Sequence, residues 1–424
     1  MKQQFVVSEY SDDIFIPNYE LTQEERLYLV KSSIIHEKRP WEKRFYFDEL
    51  KNGLRLQTQS WVGVIELEKA RIVIQPKFNK GFTALLEMIS FIEELPFYQW
   101  QDTDGAIGKT DLLEILVRVF LKEAERVLKI GLVKEYITEA ENLVNLRGRV
   151  EFRQNLKQNY NLPNKVYCEY DELVTNIVDN QILLSVLSKI STYRLSTKTK
   201  QKLNMIRSQI ELLCDEYKDT VWPTFNYNRL NTHYERAHKI GHHLWKGLSA
   251  TSFLDNQNSF YSFLIDMNDL FEKFVVKLLT KYLPPVFKVI PGKRITNGIT
   301  MDGQSYRHII PDILVENKTT NEISILDVKY KHYGKRRVDT SDVFQLAFYA
   351  QNKNSQSKDV YISTIVYPSF ADDRLMDINK INLNIYSNYP GAMYLKPISI
   401  EKILESIKCR DTKILRELIK SLIK

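Results

Sequence analysis

The spacing of apolar residues changes along the chain, and each change limits the fold that a segment can adopt. Up to about residue 85, RFYFDEL, LRLQTQSWVGVIEL and ARIVIQPKF alternate apolar and polar residues, which predicts strands. From about 86 to 250, ALLEMISFIEEL, DLLEILVRVFLKEAERVL and NIVDNQILLSVLSKIS repeat leucines at three and four residues, which predicts helices. A more strand-like segment, NLVNLRGRVEFRQNL around Gly148, lies within this helical region.

The last part of the chain alternates helical and strand patterns after a polar stretch, TSFLDNQNSF, at 251–260. We predict a helix at 264–281, strands at 286–291, 307–315 and 322–331, a helix at 340–352 and a strand at 359–367. This order predicts a mixed sheet with helices packed against it. The sequence therefore predicts a multi-domain α+β protein with a β-rich domain (1–85), a mainly helical domain (86–250) and a C-terminal α/β domain (251–424).

Composition limits the class of protein. Hydrophobic residues at 43% and charged residues at 27% are ordinary for a globular protein, and a net charge of +7 permits a polyanionic partner without establishing one. Cys168, Cys214 and Cys409 have no disulfide or zinc spacing, so we expect a reducing cytoplasm. We expect neither a signal peptide nor a membrane span, because no run approaches about 18 apolar residues.

Two neighbouring predicted strands carry the residues with the clearest chemistry. Asp312 follows Pro311 within the apolar run RHIIPDILVE, where a carboxylate is costly unless it has a partner such as a metal ion. In EISILDVKYK, Asp327 and Lys329 lie two positions apart, so both side chains leave the same face of the strand. We therefore expect Asp312, Asp327 and Lys329 to come together.

This set suits a divalent cation. Mg²⁺ prefers oxygen ligands, and two carboxylates with the main-chain carbonyl of Val328 leave positions for water and phosphate oxygens. Such an ion lowers the pKa of a bound water and stabilises charge on a phosphoryl group. Lys329 would orient that water and neutralise part of the same charge. The pattern predicts metal-assisted phosphodiester hydrolysis.

Further candidates lie on the two predicted helices. Glu272, in DMNDLFEKFVVKLL, lies at the border of the apolar stripe and could point toward the metal; the alternative is an exposed glutamate on a charged face. Gln345 and Tyr349 in DVFQLAFYA are four residues apart and so share a helix face, from which both could reach DNA phosphate or Lys329. The alternative is an ordinary helix surface.

A basic run with interleaved aromatic residues follows the motif strand. It contains the candidate DNA contacts Lys331, Lys335, Arg336 and Arg337. A solvated loop is the alternative interpretation of such a run.

Two other patterns predict little. The segment from Gly105 to Thr110 lacks the glycine spacing and the preceding strand of a phosphate-binding loop, so we expect no nucleotide bound by this chain. The histidines of THYERAHKIGHH match no zinc spacing and predict a partly exposed helix; they are His233, His238, His242 and His243.

Taken together, these segments resemble the McrC family, the nuclease subunits of McrBC-type modification-dependent restriction systems. The resemblance includes WVGVIEL, RIVIQPKF, GLVKEY, NLRGRVEF, CEYDELVTNIVDNQIL, LFEKFV, IIPDILV, ILDVKYK, FQLAFYAQ and IVYPS, and so spans nearly the whole chain. It implies a C-terminal PD-(D/E)xK nuclease domain with Asp312, Asp327 and Lys329 at its centre. It also implies site roles for Glu272, Gln345 and Tyr349.

The resemblance also implies partners. McrC proteins work with McrB, a ring-forming AAA+ GTPase that recognises modified DNA, and they stimulate its GTP hydrolysis. We therefore expect a cytoplasmic, prokaryotic Mg²⁺-dependent endonuclease subunit whose N-terminal and helical regions dock into such a ring. A second copy would be needed for double-strand cleavage. The alternatives are a nuclease of the same fold in another restriction or repair system, and a non-enzymatic DNA-bound regulator of a ring motor.

Overall fold

The computed structural model describes most of the chain, in separate stretches. They are residues 2–11, 14–36, 39–96, 112–162, 164–248, 261–301, 304–331, 333, 337–353, 361–369, 379–383 and 391–423. Internal contacts divide the chain into two compact units. Unit 1 comprises Met1–Gly108 and Leu264–Lys424, and unit 2 comprises Lys109–Phe263. The β-rich N-terminal segment and the C-terminal segment thus belong to the same unit. The predicted division of the chain into three domains stays a prediction.

The N-terminal part of unit 1 consists of short strands with two helices. In chain order these are β1 (Gln3–Ser8), β2 (Ile14–Pro17), α1 (Gln23–Ser33), β3 (Ile34–His36), β4 (Arg39–Lys43), β5 (Phe45–Leu50), β6 (Gly53–Thr58), β7 (Trp61–Glu66), β8 (Ala70–Gln75) and α2 (Phe82–Ile92). The predicted β-rich character is correct, but α1 was not predicted. Thr22 and Glu25 form a reciprocal capping box at its start, a T-x-x-E signal that outweighs the weak apolar periodicity.

Unit 2 is mainly helical around one small sheet. Its elements are α3 (Leu112–Ile130), β9 (Glu135–Leu143), β10 (Arg149–Val150), α4 (Phe152–Asn159), β11 (Val166–Val174), α5 (Val178–Ser191), α6 (Thr197–Glu211), a 3₁₀ turn (Thr232–Tyr234) and α7 (Glu235–Gly247). The strands pair antiparallel in the order β10-β11-β9, and β10 follows Gly148, as the strand-like segment predicted. Strand β12 (Tyr261–Asp266) contains the boundary between the units.

The C-terminal part of unit 1 has the predicted alternation of helices and strands. Its elements are α8 (Met267–Tyr282), β13 (Phe287–Pro291), β14 (Ile295–Met301), β15 (Gln304–Ile309), β16 (Ile313–Asn317), β17 (Ile323–Val328), α9 (Thr340–Lys353), β18 (Tyr361–Pro368), β19 (Asn379–Leu383), β20 (Gly391–Ile398), α10 (Ile400–Lys408) and α11 (Thr412–Ser421). The strand predicted at 307–315 is broken between β15 and β16. Pro311 lies in this break and has no N–H to donate to a sheet.

The C-terminal part of unit 1 contains a six-stranded mixed sheet. Its strand order is β13-β16-β17-β18-β20-β19, with β17, β18 and β20 parallel to one another and the other pairs antiparallel. Leu346 of α9 packs against this sheet on Ile365, Tyr367, Met393 and Leu395. The mixed sheet predicted from the helix and strand order is confirmed.

Helix α8 illustrates how the local sequence produces an element and its packing. Asp266 caps the helix by accepting from the Asn268 N–H, and apolar residues repeat at three and four positions to Leu278. Phe274 is fully buried and meets Phe91 of α2 edge to face at 5.5 Å between ring centroids. Helix α2 therefore packs within unit 1, although the sequence placed it at the start of the helical domain.

Replacing Phe274 with alanine should lower the free energy of unfolding of unit 1 by about 3–5 kcal/mol, because it leaves a cavity in a fully buried site. Phe344→Ala is the matched control, since that ring on α9 is 63% exposed and its loss should cost less than about 0.5 kcal/mol. Denaturant unfolding followed by tryptophan fluorescence measures both. Equal destabilisation by the two variants would contradict the packing described here.

Candidate active site

The candidate site lies where β17 ends in the middle of the six-stranded sheet. Asp327 is opposite Ile365 of β18 in the parallel register, and Ile365 packs with Leu346 of α9. Side chains opposite each other in a sheet share a face, so Asp327 lies on the face that α9 covers. Lys329 follows two residues later, and its main-chain N–H donates to the Val366 carbonyl at 3.0 Å. The parallel pairing thus continues one residue past the strand.

Asp312 lies in the break before β16 and is tied to β17 through its side chain. Its Oδ2 accepts a hydrogen bond from the Val328 N–H at 2.8 Å, and its carbonyl accepts from the Gly292 N–H at 2.8 Å. In the break before β16, the Asp312 side chain thus accepts from the main-chain N–H of Val328, the residue between Asp327 and Lys329. The predicted convergence of these residues is present in the structure.

Asp327 is a buried carboxylate next to a lysine. It has no exposed surface, and its Oδ2 lies 3.0 Å from the Lys329 Nζ, whose side chain is 20% exposed. Within the described part of the chain, neither oxygen of Asp327 accepts a hydrogen bond of good geometry. A buried carboxylate in this state costs free energy and binds a further cation readily.

The pKa values of Asp327 and Lys329 are both raised, but for different physical reasons. The pKa of Asp327 is raised to about 7, because burial and the neighbouring charge of Asp312 raise it more than Lys329 lowers it. Burial lowers the pKa of Lys329, but Asp327 and Asp312, with Asp342, outweigh burial and raise it above its ordinary value. Near neutral pH, Lys329 is therefore an ammonium, and the Asp327 carboxylate takes up a proton or another cation more readily than an ordinary aspartate does.

Glu272 lies close enough to this centre to interact with it electrostatically. It is half-buried on α8, and burial raises its pKa, with Asp312 as the largest charge acting in the same direction and Lys329 among those that oppose it. The interpretation of Glu272 as a fully exposed residue is therefore excluded. Its role as a ligand stays a prediction.

The donor set fits a magnesium ion held by few protein ligands. Among the residues that the structure describes, no three His, Cys, Asp or Glu side chains are close enough together to hold a metal ion. Asp312 and Asp327 offer two carboxylates at the end of β17. Mg²⁺ typically takes one or two carboxylates and completes its octahedron with water and phosphate oxygens, so this donor set is compatible with such an ion.

The other predicted site residues differ in their surroundings, and some of them lie outside the part of the chain that the structure describes. Gln345 is half-buried on α9, while the side chain of Tyr349 lies outside the described part. Lys331 forms ion pairs with Asp339 at 2.7 Å and with Asp342 at 2.8 Å, so it is already neutralised within the protein. Among the remaining candidate DNA contacts, Arg337 is exposed, and Lys335 and Arg336 lie outside the described residues.

Two secondary patterns of the sequence have different outcomes. The segment from Gly105 to Thr110 lies outside the described residues. His238, predicted on a partly exposed helix, is buried: it contacts the Tyr227 hydroxyl and the Asp179 carbonyl, and burial lowers its pKa to about 4. Its ring also stacks on Phe225 at 4.0 Å, which explains why a polar residue is tolerated there.

Sequence reasoning missed Tyr330, which is buried directly after Lys329 and donates to Glu9. Tyr330 is one of the aromatic residues interleaved with the basic run after β17. The signal was present in the period-two pattern, because Val328 and Tyr330 alternate with Asp327 and Lys329 and so face the opposite side of the chain. No local pattern marks Glu9 as its partner.

The fold and site together define an α+β protein whose mixed sheet carries a buried aspartate and lysine pair beside a second aspartate. A family model described as McrBC 5-methylcytosine restriction system component matches residues 56–368. Because that match covers most of the chain, the chain belongs to this family, and the resemblance seen in its motifs is confirmed. Comparison with curated proteins gave no match.

Two solved structures are similar to this chain, and the first of them supports the fold. One similar chain belongs to the refined half-complex from the tetradecameric assembly of Thermococcus gammatolerans McrB AAA+ hexamers with bound McrC. Its TM-score to this chain is 0.63 at 15% sequence identity, and the alignment covers 99% of this chain and 100% of that one. A chain of the cryo-EM structure of the Thermococcus gammatolerans McrBC complex has a TM-score of 0.46 and 16% identity, covering 66% and 88%. Among the described residues, no helix is long and apolar enough to cross a membrane.

Replacing Asp327 with asparagine should stabilise the metal-free protein above pH 7. The folded-state pKa of Asp327 is raised, so stability is lost as pH rises from the ordinary aspartate value of 3.8 to about 7, and asparagine removes that loss. Melting temperatures of wild type and Asp327→Asn in EDTA, from pH 4 to 8, measure the difference. It should grow with pH, and a constant difference would contradict the raised pKa.

Proposed function

We propose that this protein is a Mg²⁺-dependent DNA endonuclease subunit of an McrBC restriction system, and that it cuts phosphodiester bonds together with an AAA+ GTPase partner. The observation that carries the proposal is the buried carboxylate of Asp327, paired with Lys329 and adjacent to Asp312. Burying these charges side by side costs free energy. A binding site for a cation and a phosphate group explains why the fold retains them.

Each residue has a distinct task in this proposal. Asp312 and Asp327, with the carbonyl of Val328, hold the metal ion, which supplies an activated water and stabilises charge on the phosphoryl oxygens. The Val328 N–H donates to Asp312, which limits rotation of the Asp327–Val328 peptide, and the Lys329 N–H donates to the Val366 carbonyl, which limits rotation of the peptide that carries the Val328 carbonyl. Lys329 stays protonated because three aspartates raise its pKa, so it serves as a fixed positive charge rather than as a base.

The surrounding residues would complete the site. Glu272 approaches from α8 and shares the electrostatic environment of Asp312, which supports a role at the edge of the metal site. Gln345 and Tyr349 on α9 would contact the DNA backbone. Arg337 and the neighbouring Lys335 and Arg336 would do the same, whereas Lys331 would first have to leave Asp339 and Asp342. A single centre of this kind makes one nick, so we propose that two copies act together on both strands.

Unit 2 offers the surface for the GTPase partner. Large apolar side chains on and near the β10-β11-β9 sheet are exposed, including Tyr136 (73%), Phe152 (73%), Leu156 (69%) and Tyr160 (85%). Exposed apolar side chains of this size, where they are contiguous, are typical of protein interfaces. The similar fold found in a McrB hexamer half-complex with McrC supports a ring-shaped partner.

Cleavage of modified plasmid DNA tests the activity. Wild type with Mg²⁺, the cognate GTPase and GTP should nick or cut the plasmid, and Lys329→Ala should be slower by roughly 100-fold or more, as for loss of one transition-state charge partner. Lys408→Ala is the matched control, because Lys408 is also ion-paired in unit 1 but pairs with Glu87 away from the motif. Its rate should equal that of wild type.

Different outcomes separate the alternatives. Cutting by wild type without the partner would favour a nuclease of another restriction or repair system. No cutting in any mixture, with GTP hydrolysis by the partner still stimulated, would favour a regulator without nuclease activity. Full cutting by Asp327→Ala would overturn the proposed metal centre, because a metal ligand is not dispensable.

GTP hydrolysis by the partner tests the docking surface. Leu156→Ser should reduce the stimulation of GTP hydrolysis several-fold at subsaturating protein, because truncating an apolar anchor weakens association. Leu230→Ser is the matched control: Leu230 lies in unit 2, is 72% exposed against 69% for Leu156, and lies outside the sheet region. Equal stimulation by the two variants would remove this surface from the proposal.

A further inference from the structure

Tyr330 connects three segments of unit 1 at the candidate site. It follows Lys329 in the chain and is only 3% exposed. Its ring lies 6.3 Å from that of Phe78 in the N-terminal segment and 5.7 Å from that of Phe271 on α8, the residue before Glu272. The side chain that follows Lys329 therefore contacts both the N-terminal segment and α8, the helix that carries Glu272.

The hydroxyl and the carbonyl of Tyr330 bind consecutive residues of the N-terminal segment. The Tyr330 hydroxyl donates to Glu9 Oε1 at 2.6 Å, and the Tyr330 carbonyl accepts from the Tyr10 hydroxyl at 3.0 Å. The first contact fixes the side chain and the second fixes the main chain. Together they determine the direction in which the chain leaves Lys329.

Glu9 and Tyr10 are themselves held in place. Glu9 has no exposed surface; its N–H donates to the Gln75 carbonyl, and its Oε1 also accepts from the Lys77 N–H at 2.9 Å. Tyr10 donates its N–H to the Gln59 carbonyl and has a φ of 54°, a left-handed conformation that residues other than glycine seldom adopt. Such a conformation persists only where surrounding contacts impose it.

The same N-terminal segment also contacts the start of α8. The Asn268 side-chain amide donates to Ser60 Oγ at 2.6 Å, and the Met267 N–H donates to the Ser60 carbonyl at 2.9 Å. The segment thus holds the chain after Lys329 and the beginning of the helix that carries Glu272.

These contacts matter because the regular pairing of β17 ends at the site. Val328 is the last residue of the strand, and the Lys329 N–H makes one further bond to β18. Beyond it, the contacts of Tyr330 orient the chain. A lysine on a flexible stem neutralises a developing charge only where its backbone is held closely, since misplacement by about 1 Å costs up to roughly 100-fold in rate.

We propose that Glu9 and Tyr10 are positioning residues of the active site, which act through Tyr330 to fix Lys329, so that the β-rich N-terminal segment is a working part of the nuclease centre. The proposal rests on the proposed function for its catalytic consequence. Its structural consequence, the ordering of the chain at Lys329 and Tyr330, holds independently of that function.

Four variants and a matched control test this role. Tyr10→Phe removes the hydroxyl that binds the Tyr330 carbonyl, and Tyr330→Phe removes the donor to Glu9, each with the ring retained. Glu9→Ala removes the acceptor, whereas Glu9→Gln keeps Oε1 and both of its hydrogen bonds. Tyr19→Phe is the control, because Tyr19 donates to the buried Glu25 at 2.6 Å in the same segment but away from the motif.

The first readout is the single-turnover cleavage rate at saturating DNA, with partner, GTP and Mg²⁺, well below the melting temperature of every variant. Tyr10→Phe, Tyr330→Phe and Glu9→Ala should each fall at least about tenfold, within the range expected for a small misplacement. DNA affinity and stimulation of GTP hydrolysis should stay within about twofold of wild type. Glu9→Gln and Tyr19→Phe should retain the wild-type rate.

The second readout is hydrogen exchange of the peptide containing Val328, Lys329 and Tyr330, which needs no catalysis. Exchange there should accelerate in Tyr10→Phe and Tyr330→Phe but not in Tyr19→Phe. Accelerated exchange with an unchanged cleavage rate, or equal effects in Tyr19→Phe, would overturn the positioning role. If wild type does not cut DNA, the proposed function fails, and unchanged exchange in Tyr10→Phe would then overturn the positioning contact itself.

Discussion

The buried ion pair between Asp327 and Lys329 is the interaction on which the arrangement of the site depends. A fully buried carboxylate is tolerated only when positive charge lies beside it, and the two-residue spacing on β17 supplies that charge on the same face of the sheet. The parallel register with β18 fixes which face this is, since Asp327 lies opposite Ile365. Moving the register by one residue would turn both charges away from α9 and from Asp312.

Asp312 lies in the break between β15 and β16, from which its side chain reaches the main chain of β17. Pro311 cannot donate to a neighbouring strand, so the sheet is interrupted, and the next residue turns its carboxylate to the main chain of β17. Burial raises the pKa values of Asp327 and Glu272, and the charge of the same carboxylate raises them further. Asp312 thus links the electrostatics of β17 to those of α8, where Lys329 acts on both Asp327 and Glu272.

The sequence predicted those features that depend on local patterns. Period-two and period-three-to-four spacing identified β17, α8 and α9 closely, and the spacing of Asp327 and Lys329 predicted their contact. The helix α1 was missed because its capping residues Thr22 and Glu25 carry the signal while its apolar stripe is weak. Features set by distant contacts were not accessible. The local sequence places Tyr330 in a basic loop, whereas in the fold it is bound to Glu9, 321 positions away. The local sequence also does not indicate that Lys331 is paired with Asp339 and Asp342.

Unit 1 is assembled from the two ends of the chain, with unit 2 encoded between them. During synthesis on the ribosome, strand β1 and Glu9 emerge first and have no Tyr330 to bind until more than three hundred further residues have been made. A chain that stops between unit 2 and Asp312 contains the N-terminal strands and all of unit 2 but neither Asp312, Asp327 nor Lys329. The order of translation thus completes the candidate site only after all of unit 2 has been made. Contacts of such long sequence separation also form slowly in folding, which extends the same delay.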